Sequence, residues 1–215
     1  MVDGGGAAAG LSHVRWLGGS TGAGKSTVSR LLAARHGCRV YHADRTEREH
    51  LARADPERFP LLHAARDLCL DERRLRRSPR QMADDSRAFH RERFLLIVAD
   101  LVALPAGEPV VVEGFGVLPE LVVPLLPCRS RAAWLISTPA FRRRAIEQRG
   151  TLWSMPRQTS DPERALANRL ARDQLLAEAV EAAARALGLA VFPVDGRCEL
   201  EEIAAAVETL CTERR

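Results

Sequence analysis

The stretch Gly19-Ser20-Thr21-Gly22-Ala23-Gly24-Lys25-Ser26 decides how this chain is read. It satisfies G-x-x-x-x-G-K-[ST], the Walker A pattern of phosphate loops. Each position has a physical reason. Glycines let the backbone curl until successive N–H groups point into one concavity, where phosphate oxygens sit. A helix beginning at Lys25 would add its positive end to the same place. The Lys25 ammonium is a compact charge that reaches outer phosphates, and the Ser26 hydroxyl is placed to ligate Mg²⁺. Gly19, Ser20, Thr21, Gly22, Ala23, Gly24, Lys25, Ser26 and the following Thr27 are therefore the expected nucleotide contacts.

The flanks fit the motif. His13 to Leu17 alternates and meets Gly18-Gly19, which predicts a strand ending in a turn. Lys25 to Arg35 carries Val28, Leu31 and Leu32 at helical spacing and stops before Gly37, a predicted C-cap. Composition points the same way. Of 32 basic residues Lys25 is the only lysine, leaving 31 arginines. A chain that writes arginine almost everywhere has kept lysine at the one place where a guanidinium fits poorly.

The 215 residues, 46% apolar and 28% charged, suit a globular domain and exclude disordered or collagen-like chemistry. No apolar run is long enough to span a membrane and Met1 to Gly10 lacks a signal-peptide pattern, so the cytoplasm is the expected location. Met1 to Gly10 reads as a flexible tail, and 11–215 as one domain. A net charge of +4 favours small anionic partners without requiring nucleic acid. The five scattered cysteines form no C-x-x-C pair and are expected to be reduced and mostly buried.

Further along, Arg39 to Ala43 predicts a second strand. Residues 45–104 read as helical, with breaks near Asp55-Pro56, Pro60 and Ser78-Pro79. The last piece, from Arg87, should place Phe94, Leu95, Val98, Leu101 and Val102 on one face. Val110-Val111-Val112 and Ala132 to Ile136 are apolar runs typical of strands buried on both faces. A helix over about 139–148, a loop over 150–162, a long helix over about 163–187, a strand at 190–194 and a helix over about 199–212 complete the chain. Strands alternating with helices predict an α/β fold with a mostly parallel sheet.

This arrangement resembles the P-loop kinases of small molecules and nucleotides. The order of strand, phosphate loop, helix, strand ending in Asp, helical insertion, strand ending in an acid, strand, Arg-rich lid, strand and helix looks like chloramphenicol phosphotransferase, shikimate kinase and nucleotide kinases. Val110-Val111-Val112-Glu113-Gly114 is similar to uridine kinases and 2-phosphoglycerate kinase. The resemblance implies a three-layer α/β/α P-loop NTPase fold with five parallel strands in the order 2-3-1-4-5. The insertion at 45–104 would bind the acceptor, and 142–172 would form the lid. It implies ATP and Mg²⁺ as cofactors and transfer of the γ-phosphoryl group to a hydroxyl or phosphate of a small molecule. A nucleotide-binding switch and a nucleic-acid-end kinase are the alternatives.

The same resemblance carries over to single residues. Asp44, after the second strand, would bind the acceptor hydroxyl and take its proton, although Asp44 and Glu47 also have capping-box spacing. Glu113 would hold Mg²⁺ with Ser26, directly or through water. Among the lid arginines, Arg149 and Arg157 are the first candidates to act on the transferring phosphoryl, with Arg169 and Arg172 behind them. Asp195-Gly196 is expected either near the adenine or as an ordinary turn. Arg73, Arg74, Arg76, Arg77 and Arg80 read first as a solvated helix face, otherwise as a grip on an anionic acceptor or on nucleic acid. Trp153 is a candidate stacking residue, Tyr41 and His42 draw interest only through Asp44, and Arg48 and Phe115 are possible pocket walls.

Overall fold

The computed structural model describes residues 10–105 and 107–212; of the expected tail, only Gly10 lies among them. Five strands form one parallel sheet: β1 (Val14–Gly19), β2 (Arg39–His42), β3 (Val110–Glu113), β4 (Ala132–Ser137) and β5 (Ala190–Val194), in the order β2-β3-β1-β4-β5. This is the expected 2-3-1-4-5 order. Every residue of β3 and β4 is buried, as strands covered on both faces must be. Pro193, which cannot donate to a ladder, sits in the edge strand β5.

The helices are α1 (Lys25–His36), α2 (Glu47–Arg53), α3 (Pro60–Asp67), α4 (Leu70–Arg74), α5 (Pro79–Val102), α6 (Pro119–Val122), α7 (Pro139–Gln148), α8 (Pro162–Ala186) and α9 (Leu200–Thr212). Two apolar clusters make the outer layers. Phe94, Ile97 and Leu101 of α5 and Ala177, Val180 and Ala184 of α8 pack with Trp16 and Trp134 on one face. Val28 and Leu32 of α1 meet Ile203 and Val207 of α9 on the other. Helix α1 ends as expected at Gly37, whose φ of 62° only glycine adopts without strain.

Three expectations need correction. Gly18 and Gly19 belong to β1 rather than to a turn. A Cβ on Gly18 would stand 2.2 Å from Trp134 Nε1 and 2.6 Å from the Val117 carbonyl, so glycine here serves close approach. Helix α5 begins at Pro79, not Arg87, because Ser78 caps it: its hydroxyl accepts from Gln81 N–H at 3.2 Å and Gln81 Oε1 accepts from Ser78 N–H at 3.0 Å. Its buried stripe runs His90-Arg93-Phe94-Ile97-Leu101, while Leu95 and Val102 are 47% and 56% exposed. Each lies one residue, about 100°, around the helix from a buried neighbour.

The cysteines also differ from expectation. Cys38, Cys69, Cys128 and Cys198 are free, as expected, but Cys69 and Cys198 are exposed and the other two only half-buried. They fall at strand starts, loops and helix starts rather than on the core stripes. The side chain of Cys211 lies outside the described residues. Among the described residues no helix is long and apolar enough to cross a membrane.

Candidate functional site

Sheet register assembles the site. Leu17 of β1 pairs with Glu113 of β3, and Glu113 pairs with His42 of β2, so one row across the strand ends leads from the phosphate loop to the acid and then to the histidine. Glu113 is buried. Its Oε1 accepts a 2.9 Å hydrogen bond from Ser26 Oγ and lies 2.7 Å from His42 Nδ1. Motif spacing alone does not show that His42 holds the same carboxylate oxygen as Ser26.

The loop 19–24 bends through positive φ at Gly19, Gly22 and Gly24 and feeds α1 at Lys25, with no side-chain cap. The Lys25 and Ser26 amides that open α1 thus have no side-chain cap, whereas the Thr27 N–H donates to the Gly24 carbonyl at 2.9 Å. Lys25 is buried and its ammonium donates to the carbonyls of Gly19 (3.2 Å) and Ser20 (2.8 Å). Burial pulls its pKa below the ordinary lysine value; Asp44 and Glu113 oppose this, and Arg149 adds to it.

A second set of contacts holds the loop from below. Ser137, at the end of β4, donates to the Thr21 carbonyl at 2.9 Å, and its N–H donates to Ser20 Oγ at 2.8 Å. Arg142, almost fully buried on α7, donates to Ser137 Oγ at 3.2 Å and to the Ser137 carbonyl at 2.9 Å. Arg142 falls at the start of the expected lid region, 142–172, and neither it nor Ser137 stands out in the sequence. A hydroxyl ending an all-apolar strand is the only signal that could have marked Ser137.

Asp44 does not cap the next helix. Helix α2 starts at Glu47 with Thr46 at its N-cap, and Asp44 instead accepts the Phe115 N–H at 3.0 and 3.2 Å through its two oxygens. The carboxylate remains exposed. Behind it, fully buried Arg93 of α5 donates to the Ala43 carbonyl and, at 3.4 Å, to Thr46 Oγ1. Arg93 thus ties down the segment bearing Asp44. Its signal was a charge on an apolar helical stripe.

A cavity of about 310 Å³ lies beneath the insertion helices. Thr21 of the phosphate loop and Asp44 are on its wall, with Phe89, His90 and Phe115 as aromatic lining and Arg73, Arg74, Arg77 and Arg172 as basic lining. His90 packs edge-on against Phe115, and burial holds its pKa down at about 3, so it stays neutral. Phe115 is therefore a wall, as expected, whereas Arg48 does not line this cavity.

The arginine expectations divide. Arg76 and Arg80 are exposed and pair with Glu72 and Asp84 one helical turn away, as a solvated face should. Arg73, Arg74 and Arg77 line the cavity, which corrects the solvated reading for them. The structure brings Arg172 to the same cavity, gripping Asp173 Oδ1. Arg169 instead donates to the Thr151 and Leu152 carbonyls, both at 3.1 Å, so its NH1 holds the start of the 150–162 segment in shape. Arg157 lines a separate cavity with Trp153, Ser160 and Asp161 and is not brought to the one shared by Thr21 and Asp44. Trp153 packs against Ile146, Leu152 and Leu166. The segment expected to form the lid contacts the insertion through Ser160 N–H to Asp71 (2.9 Å) and Asn168 Nδ2 to the Arg74 carbonyl (2.8 Å). Asp195 turns back on itself, accepting from Arg197 N–H at 2.9 Å.

No protein-family model matches the chain, and no curated protein matches it significantly. Solved structures do. TT1252 from Thermus thermophilus superposes with a TM-score of 0.50 at 18% identity, covering 94% of this chain and 97% of that one. Shikimate kinase from Acinetobacter baumannii in complex with shikimate gives a TM-score of 0.49 at 14% identity, covering 94% and 96%. At such identity the likeness is one of fold. The chain has a five-stranded parallel α/β fold in the order 2-3-1-4-5, with the phosphate loop between β1 and α1, and it shares that fold with TT1252.

Proposed function

We propose that the protein is an ATP- and Mg²⁺-dependent kinase that transfers the γ-phosphoryl group to a hydroxyl of a small molecule. The observation that supports this best is that one cavity has both Thr21 of the phosphate loop and the carboxylate of Asp44 on its wall. An acceptor lodged there stands between a base and the loop mouth.

The loop amides and Lys25 bind the triphosphate, the ammonium leaving the two carbonyls it now holds. The oxygens of Ser26 and Glu113 are a fitting donor pair for Mg²⁺, which takes one or two protein oxygens and completes its shell from phosphates and water. When bound, the ion supplies neutralisation of phosphate charge. His42, on the same carboxylate oxygen, orients Glu113. Asp44, held by the Phe115 amide, accepts the hydroxyl proton as the new O–P bond forms and the bond to the ADP oxygen breaks. Arg172, which lines the cavity, would stabilise the charge in transfer, with Arg149 as the second arginine for that role.

The test is transfer from γ-labelled ATP with Mg²⁺ into a fractionated small-molecule extract, with Lys25→Ala as the blank. A labelled compound that disappears with the variant is the expected result. Label released only as inorganic phosphate across all fractions would favour a nucleotide switch.

A further inference from the structure

The cavity wall carries four arginines and three carboxylates, and most of the charges are already matched. Arg77 pairs with Asp85 at 2.6 Å, Glu47 faces Arg93 at 3.9 Å, and Arg172 grips Asp173. Asp44 is engaged by a backbone amide. Two guanidinium groups remain without a carboxylate. Arg73 donates only to carbonyls near the end of α3, those of Ala65 and, at 3.1 Å, Leu68. Arg74 reaches the Met155 sulfur at 3.9 Å, and its buried Nε has no hydrogen-bond partner.

A buried guanidinium N–H left unpaired is costly, and a folded chain tolerates it where a ligand completes the bond. Burial, with Arg172, Arg169 and Arg73 nearby, pulls the Arg74 pKa down to about 10 although Asp173 opposes this. That is the environment of a cation short of an anion. A cavity of about 310 Å³ is at the small end of ligand sites, the size of a metabolite rather than of a polymer end.

We infer that the phosphoryl acceptor is itself an oxyanion, a small hydroxyl compound bearing a phosphate monoester or a carboxylate, and that Arg74, assisted by Arg73, takes that group. The inference rests on the kinase reading for the word acceptor, while the anion subsite stands on the cavity alone. Arg74 also carries the carbonyl bonded by Asn168 of α8, so the subsite lies on the seam between insertion and lid. An acceptor anion there bears on both sides of the seam at once.

The full-length protein, its phosphate loop filled with a non-hydrolysable ATP analogue and Mg²⁺, is titrated calorimetrically with inorganic phosphate and separately with malonate. Lys25→Ala is titrated with the same anions without nucleotide. Expected are one saturable anion site in both proteins, a dissociation constant raised at least tenfold in Arg74→Met, and a smaller rise in Arg74→Lys, which keeps the charge. Preference for phosphate or malonate assigns the kind of oxyanion. Absence of saturable binding of either anion, or wild-type affinity in a folded Arg74→Met, overturns the inference. Should Arg74→Met not fold, the same comparison is read from Arg73→Met and Arg74→Lys. Failure of the nucleotide analogue to bind, with the anion site intact in Lys25→Ala, would remove the kinase reading and leave the subsite.

Discussion

The two oxygens of Asp44 accept the backbone N–H of Phe115 at 3.0 and 3.2 Å, bracing the end of β2 against the loop that follows β3. The bond accounts for Gly114 in between: a Cβ there would lie 2.9 Å from the Ala43 Cβ and 3.0 Å from Asp44 Oδ1. Positioning and charge at Asp44 can therefore be separated. Asp44→Asn keeps an oxygen for the Phe115 amide and loses the base. Turnover should fall by about 10²-fold or more, with nucleotide affinity unchanged and stability altered by about 1 kcal/mol or less. A loss of melting temperature without a loss of turnover would reduce Asp44 to a brace.

Lys25→Ala removes a buried ammonium that bonds two loop carbonyls. Transfer should fall by at least about 10²–10³-fold, the usual effect of deleting a group that stabilises charge in transfer. Circular dichroism should stay that of the wild type. Retained transfer would remove the phosphate-loop assignment.

Ser137→Ala deletes the hydroxyl shared by Ser20, Thr21 and Arg142. It leaves the buried Arg142 Nε without that acceptor, at a cost of about 1–3 kcal/mol in stability. Nucleotide affinity should fall with it, because the loop loses its fixed curvature. Denaturant unfolding and analogue titration on one preparation read both effects.

His90 offers a pH signature. Its folded pKa of about 3 lies below the ordinary histidine value, so between pH 6.5 and 3 the unfolded chain binds the proton that the folded one refuses. The associated stability is complete above pH 6.5 and is lost as pH falls toward 3, by at most about 1.4 kcal/mol per pH unit. His90→Gln should flatten the slope of melting temperature against pH in that window. An unchanged slope would assign the acid sensitivity elsewhere.

Gly18→Ala should be far worse than a surface glycine change. Its Cβ would enter the space of Trp134 Nε1, which already donates to the Val117 carbonyl at 3.0 Å. Overpacking of this kind costs about 1–3 kcal/mol or more. Chemical denaturation against the wild type measures it.

The sequence by itself determined the phosphate loop, the parallel alternation of strands and helices, and the acids Asp44 and Glu113 at strand ends. These are local in character: glycine spacing, apolar periodicity and turn residues act over a few positions, so they can be read in a line. The tertiary structure alone decided which charges meet. Arg73 and Arg76 lie three residues apart, yet one lines the cavity and the other faces water. Among the lid arginines the sequence puts Arg157 ahead of Arg172, yet of the two only Arg172 lines the cavity that Asp44 lines. His42 and Ser26 share one oxygen of Glu113 because the register of β2 on β3 places the histidine there and the phosphate loop carries the start of α1 there. Charged side chains are long and flexible, and their partners are chosen by burial and by neighbours distant in the chain, which no local pattern encodes.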